Sequence, residues 1–288
     1  MTAFTRGDSV APTPVALPTP PAAAPGLAPS LFAPLNLPFA DYRNRRVWVI
    51  GASYGIGAAL AQQLLSRGAR VALSARSAGL LKEVAAGRDA LLAPLDVTDV
   101  ASVQRARDTL LAAWGGIDLV LVVAGTHVEM RAQDFDLAAA RRLLEINLHG
   151  VLHCVDAVLP VLLRQGAGGI GIVASVAGYV GLPRSLIYGA SKAALIHLAE
   201  SLHGDLRPAG IGVYLINPGF VDTPLTRKNE FKMPALMTAE DAARVTLDEI
   251  AAGRFEIHYP KRFTRWLKLL RVLPYRLQFW LVRRITGG

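Results

Sequence analysis

Cysteine is nearly missing: Cys154 stands alone in 288 residues. That excludes an internal disulfide and a thiolate-bound zinc, and it fits a reducing compartment such as the cytoplasm. Acidic residues are missing from one end. None follows Glu256, whereas Lys261, Arg262, Arg265, Lys268, Arg271, Arg276, Arg283 and Arg284 all lie beyond position 260. These account for nearly all of the formal +9 charge, so the basicity belongs to a tail and not to a nucleic-acid-binding domain. Long apolar runs are absent from the opening segment, where nine of the 18 prolines fall at or before Pro38. No stretch there reaches the length of a signal-peptide core or a membrane span. Residues 1–44 read as a disordered, partly polyproline arm, or as the product of a start codon assigned too far upstream.

From Arg45 the texture changes. Short apolar runs at Val47–Ile50, Arg70–Ala75, Ala90–Leu95, Leu119–Val123, Ile170–Ala174 and Ile211–Ile216 alternate with stretches of helical period. The helix candidates lie near 56–67, 78–86, 99–113, 136–164, 186–207 and 239–252. Near-continuous Val, Ile and Leu is what a strand covered on both faces requires. The alternation predicts a doubly wound α/β domain over 45–260, a parallel sheet of about seven strands with helices on both faces, followed by a helical tail over 261–288.

The first run leads into Gly51-Ala-Ser-Tyr-Gly55-Ile-Gly57, with a helix after it. Glycines permit a tight turn and close approach to a pyrophosphate, and the helix N-terminus offers free N–H groups to the anion. An ordinary strand-to-helix turn is the plain alternative. The second run ends at Ala75-Arg76, where an acidic residue would suit a ribose 2′-hydroxyl. Arg76 can instead fork onto a 2′-phosphate, with Ser74 and Ser77 as added donors, so NADP(H) is expected and NAD(H) is the alternative. The other reading of Arg76 is a solvated strand-end residue. Asp96-Val97 closes the third run, either as an adenine contact or as a helix-capping element of Asp96-Val-Thr-Asp99.

Tyr188 and Lys192 stand four apart on a helix candidate, hence on one face, one turn apart. Alone, that spacing describes any amphipathic surface pair. Here Ser175 ends the preceding strand and Asn147 lies in the helix before it. Carbonyl reduction needs a hydride on carbon and a proton on oxygen. A tyrosine is a weak acid near pH 10. A neighbouring ammonium would favour its phenolate, and a serine hydroxyl could donate to the substrate oxygen as charge develops there.

These motifs resemble the short-chain dehydrogenase/reductase family in its form of about 250 residues, from Arg45 to His258. The resemblance implies a Rossmann-type fold, a nicotinamide cofactor and hydride exchange between an alcohol and a carbonyl. It implies Tyr188 as general acid/base, supported by Lys192, Ser175 and Asn147. Asn147-Leu-His-Gly150 matches the family segment whose Asn holds a water linking the lysine to solvent, and Asn217-Pro-Gly219 with Thr223 matches the segment beside the nicotinamide. Cofactor contacts are implied for Gly51, Ser53, Tyr54, Gly55, Ile56, Gly57, Arg76, Asp96, Val97, Val123, Ala124, Gly125, Tyr188, Lys192, Pro218, Gly219, Val221 and Thr223. Two departures stand out: Ile50 replaces the usual Thr, and Val122-Val123-Ala124-Gly125 replaces Asn-Asn-Ala-Gly. A homodimer or homotetramer through the helices of Asn147 and Tyr188 is also implied. A cofactor-sensing protein without turnover is the rival from another class, though it would usually lose the Tyr or the Lys.

Three further features carry expectations. His149 and His153 have i, i+4 spacing but no third ligand, so no metal site is expected. Leu225, Phe231, Met233, Leu236 and Met237 give the segment 220–237 an apolar, adaptable character that suits a lipophilic substrate or simple packing. In the tail, Phe263, Trp266, Leu267, Leu270 and Leu273, then Leu277, Trp280 and Leu281, alternate with basic residues around Pro274. Such helices either lie on the inner face of a membrane or cover the pocket or a subunit contact.

Overall fold

The computed structural model describes residues 33–39, 41–228, 233 and 235–286. The remainder of the proposed arm (1–32 and 40), Phe231 of the apolar loop, and the last two residues of the tail lie outside them. The six apolar runs form β1 (Arg46–Ile50), β2 (Arg70–Ser74), β3 (Ala90–Leu92), β4 (Leu119–Val122), β5 (Gly168–Val173) and β6 (Ile211–Pro218). A seventh strand, β7 (Glu256–Tyr259), was not among those runs. All neighbours pair in parallel, in the order β3-β2-β1-β4-β5-β6-β7.

Alternation along each strand divides the core in two. Trp48, Ile50, Val120 and Val122 face one apolar cluster, while Val47, Val49, Leu119 and Leu121 face the other. The first cluster is closed by α3 (Val100–Trp114), α5 (Gly150–Gln165) and α6 (Leu186–Leu206), through Leu110, Val158 and Leu195. The second is closed by α1 (Gly55–Ser66), α2 (Ala78–Ala85) and α7 (Ala239–Ala251), through Leu60, Leu81 and Leu247. The continuous helical stretch Leu137–Gln165 is long and apolar enough to cross a bilayer by composition, but its apolar face is the one buried against this sheet. Within it, α4 (Leu137–Leu144) and α5 are joined by a π-helical turn, Glu145–His149. Such turns add a residue to the helix and re-aim its side chains.

The described part of the segment assigned to the disordered arm, 33–39 and 41–44, is mostly exposed but is anchored at Asn36 and Tyr42. Asn36 is buried, donating Nδ2–H to the Val213 carbonyl at 2.7 Å and accepting from the Val213 amide at 3.0 Å. The Tyr42 hydroxyl donates to the Leu247 carbonyl at 2.7 Å. A polar side chain that completes a backbone pair in the core is invisible to a reading of Pro and Ala content.

Beyond β7 the tail forms α8 (Lys261–Arg271) and α9 (Tyr275–Thr286). Leu267 and Leu270 of α8 and Val282 of α9 are buried in the first cluster, so the tail is docked on the domain. Lys268 bonds the Glu256 carboxylate, which also accepts from the Tyr179 hydroxyl (2.6 Å) and Asn217 Nδ2 (3.1 Å). Burial alone would raise that carboxyl, but these donors hold it below its ordinary value. Gln278 ties α9 to α8 through the Leu270 carbonyl at 3.0 Å.

Candidate active site

Strand order reverses between β1 and β4, and in an open α/β sheet that reversal leaves a crevice at the carboxyl ends of the strands. A cleft of about 640 Å3 occupies this position. Its walls contain every residue expected at the cofactor, from Gly51, Ser53, Tyr54, Gly55, Ile56 and Gly57 through Arg76, Asp96, Val97, Val123, Ala124 and Gly125 to Pro218, Gly219, Val221 and Thr223. Ser175, Tyr188 and Lys192 line the same cleft, whereas Asn147 is fully buried behind it.

The glycine turn is built for close approach. Gly51 has φ +94°, a left-handed value, and a Cβ there would lie 2.5 Å from the Ala124 amide nitrogen. A Cβ on Gly57 would lie 2.1 Å from the Gly51 carbonyl oxygen. The turn is pinned by the Gly51 and Ala52 amides, which donate to the Ser74 carbonyl at 2.7 and 3.0 Å. Tyr54, the residue before α1, gives no side-chain cap, and the first turn of α1 carries no acidic residue. Its free N–H groups and positive dipole end therefore face the cleft without an internal anion. A dinucleotide pyrophosphate fits this cradle.

At the adenosine end the structure refines the expectations. Arg76 is exposed on the cleft wall and has no hydrogen bond or ion pair to another described residue. Ser74 is not available as a donor to a ligand: it is fully buried, accepts from Trp48 Nε1 at 2.8 Å and donates to the Ala93 carbonyl at 2.5 Å. Its side chain lies on the same face of the sheet as Trp48 of the neighbouring strand. Ser77 lines the cleft and caps α2 by accepting from the Leu80 amide. Asp96 braces its own turn, its carboxylate accepting from the Thr98 amide and hydroxyl at 2.9 and 2.8 Å, while Asp99 occupies the position before α3.

At the other end, α6 presents Tyr188 and Lys192 on one face, with the Lys192 Nζ 5.7 Å from the Tyr188 ring centre. The Lys192 ammonium is buried, donates to the Val173 carbonyl at 2.9 Å, and is lowered by burial to about 8. Burial pushes the Tyr188 phenol up, opposed by the Ser175 hydroxyl. Burial thus works against the phenolate, and the Lys192 ammonium expected to favour it is itself disfavoured by burial. Ser175 follows β5 and accepts from the Ala177 amide at 3.1 Å.

The π-helical turn aims Asn147 inward. Its Oδ1 accepts from the Thr126 amide at 2.7 Å and its Nδ2 donates to the Thr126 carbonyl at 2.8 Å. A Cβ on Gly125 would lie 3.4 Å from Asn147 Oδ1 and 3.6 Å from Lys192 Nζ, so both side chains border one point behind the cleft. The clamp on Thr126 fixes the segment that carries His127, whose ring meets the Tyr188 ring edge-on at 4.7 Å and 90°. His127 offered no ligand spacing in the sequence, and only the fold brings it here. His149 pairs with Glu145 at 2.9 Å and His153 with the Val97 carbonyl at 2.8 Å. No group of three metal-type side chains occurs among the described residues.

Comparison with known proteins agrees with this geometry. Residues 45–233 match the family model described as short chain dehydrogenase. An uncharacterized oxidoreductase of Myxococcus xanthus is 36% identical over 82% of this chain and 95% of its own length. Another, from Staphylococcus epidermidis, is 34% identical over 71% of this chain and 90% of its own. A solved short chain dehydrogenase/reductase from Burkholderia phymatum, in complex with NAD, superposes with a TM-score of 0.73 at 28% identity, covering 80% of this chain and 93% of that one. With its parallel sheet, its glycine turn and its gathered Ser175, Tyr188 and Lys192, the chain belongs to the short-chain dehydrogenase/reductase family of oxidoreductases.

Proposed function

We propose that this oxidoreductase is an NADP(H)-dependent carbonyl reductase acting on lipophilic ketones or aldehydes, with Tyr188 as the proton donor. The gathering of Tyr188, Lys192 and Ser175 in the wall of the same cleft as the glycine turn carries the reading. A bound nicotinamide cofactor would supply the hydride. The protein's own groups handle the oxygen. Ser175 orients the carbonyl oxygen by donation, and Tyr188 transfers its hydroxyl proton to that oxygen as charge builds there. Lys192, one turn away on α6, stabilises the resulting phenolate. Asn147 holds the backbone beside Lys192, where the family role places a water that returns the proton. A neutral phenol is the form that donates a proton in the reduction direction, and burial favours that form.

The 2′-phosphate preference rests on Arg76, free on the cleft wall and with no acidic residue at the end of β2. The second reading is NAD(H), which the Burkholderia relative holds. The lipophilic substrate rests on Leu225 in the cleft wall and on the apolar character of the segment that follows it, where Leu236 is exposed. Exposed Leu152 on α5 and Leu186 at the start of α6 support a homo-oligomeric contact through these helices.

The test is oxidation of NADPH and NADH over carbonyl compounds of increasing chain length, for wild type and Arg76→Glu. Wild type is expected to prefer NADPH and long-chain carbonyls. A charge-assisted contact of this kind contributes ~2–3 kcal/mol, so Arg76→Glu should raise KM for NADPH about 30- to 160-fold and leave NADH nearly unchanged. An equal loss with both cofactors would remove the 2′-phosphate role. A preference for small polar carbonyls would remove the lipophilic substrate.

A further inference from the structure

We propose that α8 and α9 form a docking face for an anionic phospholipid bilayer, which delivers a lipophilic substrate to the cleft. The helices are fixed on the domain by one side only. Leu267, Leu270 and Val282 point inward, and Gln278 stitches the pair together. The outward side stays apolar. Trp266 and Leu269 of α8 and Val272 just past its end follow i, i+3, i+6 and are 41%, 57% and 75% exposed. On α9, Tyr275 and Phe279 stack at 5.5 Å, and Trp280 is 56% exposed. Isolated exposed apolar residues are ordinary, but this many side by side on two adjoining helices mark an interaction surface.

Charge identifies the occupant. Arg262 and Arg265 share the outward stripe of α8, Arg276 and Arg283 flank Trp280 at helical spacing, and the Arg284 guanidinium lies 5.7 Å from the Trp280 ring centre. No acidic residue occurs anywhere in either helix. Aromatic and aliphatic side chains rimmed by arginines match the acyl–headgroup boundary of an anionic leaflet, where the rings bury and the guanidinium groups meet phosphate. A second copy of the chain would set basic rim against basic rim. The face also connects to the site. Phe263 at the start of α8 meets Phe220 at 5.8 Å between ring centres, just after β6 and beside Gly219 of the cleft wall. The route to the cleft, but not the docking itself, rests on the lipophilic-substrate reading.

Co-sedimentation of the full chain with vesicles tests this without turnover. The chain is expected to pellet with phosphatidylcholine containing about 30 mol % phosphatidylglycerol, to remain in solution with phosphatidylcholine alone, and to release at high salt. Tryptophan emission should shift to the blue on binding, because Trp266 and Trp280 are exposed while Trp48 is buried. Phe279→Ser with Trp280→Ser, both at exposed positions, should abolish partition. Arg276→Gln with Arg283→Gln should weaken it about 25-fold, at roughly fivefold per charge. Equal binding to neutral and anionic vesicles, no binding to either, or unchanged binding of the serine variant would overturn the proposal. So would a serine variant that turns an oligomer into a monomer on gel filtration, since the face would then cover a second copy. Vesicle binding without carbonyl turnover would leave the docking standing and sink the reductase reading with the delivery route; turnover without vesicle binding would sink the docking and leave the reductase reading.

Discussion

Tyr188→Phe is expected to lower kcat about a thousandfold while leaving the affinity for NADPH within about twofold of wild type. General acid–base catalysis by one positioned group is worth roughly 10²- to 10⁴-fold. The substitution removes only the hydroxyl. The ring keeps its edge contact with His127 at 4.7 Å and its place under Lys192, whose own bond to the Val173 carbonyl is untouched. Ser175 keeps its bond to the Ala177 amide. A fluorescence titration with NADPH alongside steady-state rates separates binding from chemistry. A variant retaining a tenth or more of the wild-type rate would mean that the proton comes from elsewhere, whatever the cleft binds.

Gly57→Ala is expected to reduce NADPH affinity at least about a hundredfold and to destabilise the fold by about 2–3 kcal/mol, a typical cost of overpacking a closed site. The added methyl would meet the Gly51 carbonyl oxygen at 2.1 Å and its carbon at 2.9 Å. Both are backbone atoms, so no rotamer change relieves the clash. The first turn of α1 must move off the turn that Ser74 pins, and the N–H groups aimed at the pyrophosphate move with it. Gly204, near the end of α6, has no atom within 4 Å of a built Cβ. Gly204→Ala should therefore leave NADPH binding alone and stabilise by about 0.5–1 kcal/mol. Isothermal titration and thermal melts on the two variants make the comparison. Equal affinity in wild type and Gly57→Ala would show that the turn does not hold the cofactor.

The central strands were legible because a parallel strand buried on both faces must be apolar throughout, as in Val47–Ile50 and Leu119–Val122. β7 escaped notice for the opposite reason. It is a four-residue edge strand in which buried Ile257 and Tyr259 alternate with Glu256 and His258. The glycine turn and the Tyr188–Lys192 pair were readable because their chemistry depends on local spacing along one turn or one helix face. Ser74 was misjudged because the direction of a strand-end hydroxyl depends on pleat and on Trp48 across the sheet, which spacing does not report. His127 was unreadable, since its contact with Tyr188 joins the segment after β4 to α6 after β5, which meet only in the fold. The neighbouring Lys192 of Tyr188 was visible in the sequence, whereas the depth of burial that pushes the phenol up was not.

The departures from the family pattern gain a physical meaning in this setting. Val122 and Val123 stand where two asparagines usually brace the sheet, and Val122 is buried in the first cluster. Apolar packing takes the place of side-chain hydrogen bonds there. The backbone approach that the glycine turn requires is kept, since Ala124 still accepts the close passage of Gly51. Polar bracing is supplied one residue past Gly125, where Asn147 grips both backbone groups of Thr126.

The most direct measurement is the fate of isotope in a single reduction. With NADPH deuterated at its transferable position and a long-chain ketone in ordinary water, the product alcohol should carry one deuterium on its carbinol carbon by mass spectrometry. With ordinary NADPH in heavy water that carbon should carry none, and Tyr188→Phe should give neither product at a comparable rate. An alcohol whose carbinol hydrogen came from solvent, or NADPH bound in the cleft with no alcohol formed from any carbonyl offered, would contradict the account.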